Sequence, residues 1–207
     1  GVQIRNLTFI VNDTSNVSGS LSRGGVGNAA LAMPWPNGAN TTGPWSLSDA
    51  TLENLYFMGL GGTLGYQSAA MYLQASPYNT HFSNVRIANL AYGYQEHYPT
   101  TNVGSGVVSP DHNVFNNFAV TGCTHSFKSV NGHFTHIMSL QLHLCTYGLE
   151  MEAVASSGSI QPSNWTLEGA QIEECTNPWS VAGERHEFHD LAINNIASLA
   201  LTLNGDQ

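Results

Sequence analysis

The chain has 207 residues, of which only 9% are charged and 42% hydrophobic, and its formal net charge of −9 leaves one Lys and four Arg. A disordered chain would be poorer in apolar and aromatic residues. A nucleic-acid or anionic-membrane partner would demand basic patches that this composition lacks. No apolar run approaches the ~20 residues of a membrane span, so no membrane insertion is expected.

The predicted elements repeat one pattern along the chain. IRNLTF from Ile4 is the first unit, followed by a Gly-, Ser- and Asn-rich insertion over 12–47 that holds Trp35 and Trp45. LENLYF from Leu52 is the second, with an insertion over 61–77 that contains a strand near 71–73. FSNVRI from Phe82 is the third, and its insertion runs over 98–110. FNNFAVTGCTHSF from Phe115 and IMSLQLHLCTYGL from Ile137 come next, then an insertion over 152–162. LEGAQIEECTNPW from Leu167 and FHDLAINNIASLA from Phe188 complete seven units.

With the first letter as zero, apolar residues stand at 0, +3 and +5. The +2 column reads Asn6, Asn54, Asn84, Asn117, Ser139, Gly169 and Asp190. The +8 column holds Cys123, Cys145 and Cys175, each followed by Thr. Five residues before five of the anchors stand Pro77, Pro110, Gly132, Pro162 and Gly183, all turn formers. The +3/+5 spacing is the two-residue period of a strand. The +2 residue interrupts it, and Asn, Asp and Gly tolerate the left-handed conformation that a corner requires. Self-similarity at a fixed period indicates a solenoid. The expected fold is therefore all-β: a right-handed parallel β-helix of about seven rungs with long inter-rung loops, one domain over 1–207 and about 33 Å tall at about 4.8 Å per rung.

The chain opens inside a unit at Gly1-Val2 without a signal peptide, which reads as a piece of something longer. An odd number of Cys in one interior column reads as buried free thiols. With no CxxC and no paired-His spacing, neither a metal site nor a cofactor is expected. His81 and His136 precede anchors, while His112, His133 and His186 fall between units. The five glycosylation sequons, starting at Asn6, Asn12, Asn16, Asn40 and Asn164, are what so Asn- and Thr-rich a chain produces by chance.

Positions +4 and +6 should face outward. This places Gln141 and His143 beside Gln171 and Glu173, with Arg86 two units before Gln141. Amides beside a carboxylate suit sugar hydroxyls, and an ordinary solvated sheet face is the alternative. Trp35 and Trp45 could stack on a sugar ring or pack within their own loop, whereas Trp165 and Trp179 read as corner packing.

The repeated apolar-x-Asn-apolar-x-apolar corner resembles right-handed β-helices of the pectate-lyase-like superfamily over essentially the whole chain, most of all phage tailspike and tail-fibre regions. The resemblance implies three parallel strands per rung with a left-handed Asn corner between the second and third. The first strand would then lie around Phe127, Leu149, Trp179 and Leu199, beneath a groove that takes long polysaccharides. Leu149 and Met151 would point in there, and Glu150 and Glu152 out, with Lys128 near Glu150. Two carboxylates with Cβ atoms about 6.6 to 7 Å apart suit glycoside hydrolysis. Sugar contact, or a surface Lys128–Glu150 ion pair, are the alternatives, and Glu173 ranks third as a catalytic candidate. The polygalacturonase-type motifs are absent: there is no Asp-Asp, and Gly132-His133 alone matches a fragment. The expected function is a virion-surface or extracellular β-helix that engages a polysaccharide or cell-surface glycan, with a homotrimer implied by the tailspike resemblance. The alternatives are a stand-alone polysaccharide hydrolase, lyase or epimerase, and a non-catalytic adhesive solenoid.

Overall fold

The computed structural model describes residues 1–11, 28–33, 46–60, 68–73, 76–96, 111–130, 132–152, 162–194 and 202–204, and in it every residue of the +2 column has left-handed φ, between 51° and 64°. The corner needs no other device, because a short polar side chain or none lowers the cost of that conformation. The four Asn add a ladder of amides. Asn54 Nδ2 donates to Asn6 Oδ1 at 2.9 Å, Asn84 to Asn54 at 3.1 Å and Asn117 to Asn84 at 2.7 Å.

The elements are all strands, with no helix among the described residues. β1 (Gln3–Val11) runs through the Asn corner and β2 (Asn28–Met33) follows it. The second pass is β3 (Ser46–Ser48), β4 (Thr51–Gly59) and β5 (Ser68–Leu73), and the third is β6 (Ser76–Tyr78), β7 (His81–Ala88) and β8 (Tyr92–Glu96). Next come β9 (Val114–Thr121) with β10 (His125–Val130), then β11 (His136–His143) with β12 (Tyr147–Glu152). β13 (Thr166–Glu168), β14 (Gln171–Glu173) and β15 (Asn177–Ala182) precede β16 (Glu187–His189), β17 (Ala192–Asn194) and β18 (Thr202–Asn204).

The first sheet runs β1-β4-β7-β9-β11-β13-β16, with β14 pairing β11 and β17; the second runs β18-β15-β12-β10-β8-β5-β2; β3 and β6 form a third. Parallel bridges carry this third ladder on through Tyr78, Asp111, His133, Ser163 and Glu184. Every pairing is parallel, and each strand meets its counterpart from the next pass. The register reproduces the repeat: Ile4, Leu52, Phe82, Phe115, Ile137, Leu167 and Phe188 pair in succession. So do Phe9, Phe57, Ile87, Val120, Leu142, Ile172 and Ile193.

Like residues therefore stack on like residues in the interior. Phe9 lies on Phe57 with centroids 4.6 Å apart, and Phe82 on Phe115 at 4.5 Å, both nearly coplanar. Tyr94 and Phe127 on the second sheet close against them. Each fully buried Leu or Phe contributes about 1.5–3 kcal/mol. The three Cys are buried free thiols, and Sγ of Cys123, Cys145 and Cys175 donates to the carbonyls of Thr121, His143 and Glu173.

Several expectations are corrected. The insertion over 12–47 contributes β2 and β3 to the sheets. Ser180, Val181 and Ala182 pair with Thr202, Leu203 and Asn204, and Leu199 lies outside the described residues. Among the described residues, left-handed positions form not one column but three. Asn89, Gly122, Leu144 and Glu174 make the second; Asp49, Asn79, His112, Phe134, Asn164 and Arg185 make the third. Their mixed side chains concealed both columns in the sequence. Pro77, Gly132, Pro162 and Gly183 sit buried just before the third corner, where the turn-former column belongs.

Candidate functional site

On the outer face of the first sheet, Tyr56, Arg86, Ala119, Gln141 and Gln171 pair in succession. Ala88, Thr121, His143 and Glu173 do the same two positions further along. The methyl side chains of Ala88 and Ala119 leave a depression between larger neighbours. The result is a groove of about 690 Å³, lined by both ladders and by Asn117 of the Asn corner. From Tyr56 to Gln171 it spans four inter-strand steps, about 19 Å. Arg86, Gln141, His143, Gln171 and Glu173 thus come together in one concavity, as the outward period required.

The polar groups of this groove are graded along it. Gln171 Nε2 donates to Glu173 Oε1 at 2.7 Å, and Asn194 Nδ2 reaches the same oxygen at 3.3 Å. Thr121 Oγ1 lies 3.4 Å from His143 Nδ1, and His143 Nε2 lies 3.5 Å from Glu174. Arg86, at the other end, is exposed and makes no ion pair among the described residues. An aromatic ring, a forked cation, amides and a carboxylate then face one open channel. Such groups donate to and accept from hydroxyls in bidentate fashion.

The outer face of the second sheet carries Lys128, Glu150 and Glu152. Lys128 pairs in register with Glu150, but its Nζ meets Glu152 Oε1 at 2.8 Å, so the alternative of a Lys128–Glu150 ion pair gives way to a Lys128–Glu152 one. The reason is His125, whose Nδ1 holds Glu150 Oε2 at 2.7 Å and covers it, leaving Glu150 only 7% exposed. Both carboxylates are therefore engaged, each by a different base. His125 is stacked between Tyr92 at 4.8 Å and Tyr147 at 4.6 Å, nearly parallel to both. The sequence reading missed it, although aromatic rings at three equivalent positions were the available signal. Beside Lys128 in register, Gln95 is buried and its Oε1 has no protein partner among the described residues.

Two further groups were missed. Glu96 is buried, accepting from Tyr94 OH at 2.6 Å and from Ser129 Oγ, and burial pushes its carboxyl from the ordinary carboxylate range up to about 7. His133 and Ser163 are in contact at the third corner. No group of three His, Cys, Asp or Glu among the described residues could hold a metal ion. His81 and His136 pair with Val114 from opposite sides, two passes apart. Trp35 and Trp45 lie outside the described residues, while Trp165 and Trp179 are buried as expected.

No family model matches this chain, and no curated protein or solved structure matches it.

Proposed function

We propose that the chain is a right-handed parallel β-helix of about seven rungs that binds a polysaccharide along the groove of its first sheet. It is best understood as the receptor-binding region of a tailspike-like protein at a virion surface or outside a cell, and in that setting it works as a homotrimer. The observation that supports the reading most directly is the ladder itself. Side chains suited to sugar hydroxyls repeat every 4.8 Å or so down one open channel, which fits an extended, periodic ligand better than a compact one. The low charge and wealth of Asn, Ser, Thr and Gly agree with a neutral or weakly charged glycan.

The test is a glycan array followed by calorimetric titration of the hits, on the wild type and on an Arg86→Ala/Gln141→Ala/Gln171→Ala variant. At about 1 kcal/mol per lost hydrogen bond, the triple change should weaken binding at least ~30-fold. Unchanged affinity in the variant, or no glycan bound by the wild type, would overturn the assignment. Depolymerisation by the wild type that vanishes on Glu150→Gln or Glu152→Gln would instead mark the hydrolase, lyase or epimerase alternative. The contact between His125 and Glu150 favours that alternative, because a carboxylate-held imidazole is a general-base arrangement.

A further inference from the structure

The third corner stacks Asp111, His133 and Ser163 from three successive passes through the bridges that join them. Equivalent side chains in such a ladder stand about 4.8 Å apart. An acid, an imidazole and a hydroxyl are thereby set in line, although they lie far apart in the sequence.

The hydrogen bonds give this line a direction. His133 Nδ1 lies 2.7 Å from Ser163 Oγ. Asn164 Nδ2 donates to that same oxygen at 3.1 Å. With His133 in the tautomer protonated on Nε2, the Ser163 Oγ–H donates to His133 Nδ1 while the same oxygen accepts from Asn164 Nδ2. Burial holds His133 below the ordinary imidazole range, which keeps it neutral, while the Asp111 carboxylate opposes that shift and favours the imidazolium. Asp111 Oδ1 is closed off from solvent and stands 2.9 Å from His112 Nδ1. The other charged groups of this corner among the described residues are Asp49, exposed and accepting from Asn79 Nδ2 in an earlier pass, and Glu184 and Arg185, exposed in the next one.

The backbone of this corner is left-handed, as it is in the other passes. His112, Phe134 and Asn164 all have positive φ, at 53°, 44° and 56°. For a bulky residue such as Phe134 that conformation costs about 1–3 kcal/mol, offset here by the ladder hydrogen bond from its amide to Ser163 O. Phe134 is nonetheless 52% exposed and stacked on His112 at 5.1 Å, an exposed aromatic pair carried by the residues that follow His133 and Asp111 in the chain.

We propose that Ser163 is an acyl-transfer nucleophile with His133 as its general base, and that the third corner hydrolyses carboxylic esters resting on the Phe134–His112 pair. Ser163 Oγ attacks the ester carbonyl as its proton passes to His133 Nδ1, and Asn164 Nδ2 is a donor beside the oxyanion that forms. Collapse breaks the carbonyl–alkoxy bond, and the leaving alcohol takes the proton from His133. Water then attacks the acyl-Ser163 ester with His133 again taking a proton. Return of that proton to Ser163 Oγ releases the carboxylic acid. One ester and one water yield one alcohol and one acid. Asp111, held by His112, favours the imidazolium of His133 through its charge alone and does not touch the ester.

The experiment is labelling of the intact chain with a fluorophosphonate, which transfers phosphorus to an activated serine with loss of fluoride, alongside p-nitrophenyl acetate hydrolysis. Peptide mass spectrometry should place one adduct on Ser163 in the wild type and none in Ser163→Ala. His133→Gln should slow labelling by at least ~100-fold, the usual contribution of a general base. Circular dichroism establishes that each variant is folded, and the wild-type adduct and its position are informative whatever the variants do. An unlabelled wild type, an adduct on another serine, or equal labelling rates in folded His133→Gln would overturn the proposal. Glycan binding in the groove is a separate property, and its presence or absence bears on neither result.

Discussion

Replacing Glu96 by Gln should stabilise the protein above neutral pH and leave it nearly unchanged near pH 4.5. Glu96 is buried, one position along the strand from Gln95, which pairs with Lys128. The groups facing it are Tyr94 OH from its own strand, Ser129 Oγ from β10, and Gly132 with the Trp165 ring beyond. A Cβ at 132 would stand 2.9 Å from Glu96 Oε1 and 2.6 Å from Ser129 Oγ, so the cluster closes only because that residue is glycine. Burial raises the carboxyl from 4.5 to about 7, against the pull of the two hydroxyls. In the unfolded chain Glu96 loses its proton near its ordinary value. Between that value and about 7 the folded state holds one more proton than the unfolded state. Stability is therefore full below the unfolded pKa, falls as pH rises through this window, and levels off above about 7. A difference of about 2.5 in pKa, at about 1.4 kcal/mol each, amounts to a loss of about 3 kcal/mol. Urea unfolding of both proteins from pH 4.5 to 8, followed by tryptophan fluorescence, measures this directly. His133 and His186, both held down by burial, act in the opposite sense: their contribution is present above the unfolded imidazole value and lost as pH falls. They occur in both proteins and cancel in the comparison. A wild-type-minus-variant difference that stays flat across this range would refute the reasoning.

Asn84 holds φ at 51° and both gives and receives a ladder bond, so Asn84→Ala should cost about 2 kcal/mol. Asn84→Gly, which keeps the conformation, should cost less; urea midpoints that rank the two in reverse would contradict the corner argument. Burial pushes the Cys123 thiol up to about 12. Native Cys123 should thus resist iodoacetamide at pH 8 and react only after denaturant is added, as peptide mass spectrometry would show.

The legibility of this chain followed from how local each feature is. A parallel ladder repeats one environment, so the interior columns from Ile4 to Phe188 had to be apolar, and their spacing exposed the register. The Asn corner was equally plain, because few side chains tolerate its backbone. The outward ladder of Arg86, Gln141, His143, Gln171 and Glu173 followed from the same period, and these residues share one groove. The second and third corners were hidden because Leu144, Phe134 and Arg185 occupy left-handed positions that propensity argues against. Ladder hydrogen bonds hold them there: the Phe134 amide, for one, donates to Ser163 O.

The sequence alone determined the strand period, the Asn corner, the interior columns and which side chains face out, since each depends on residues a few positions apart or on their repetition. Tertiary structure decided who partners whom. Lys128 takes Glu152 because His125 already holds Glu150, and Glu96 is buried because Tyr94, Ser129, Gly132 and the Trp165 ring close round it. Asp111, His133 and Ser163 form a line only when three passes are stacked. Side-chain pairing depends on reach, competition and burial between passes of the chain, and the linear order of residues does not encode these.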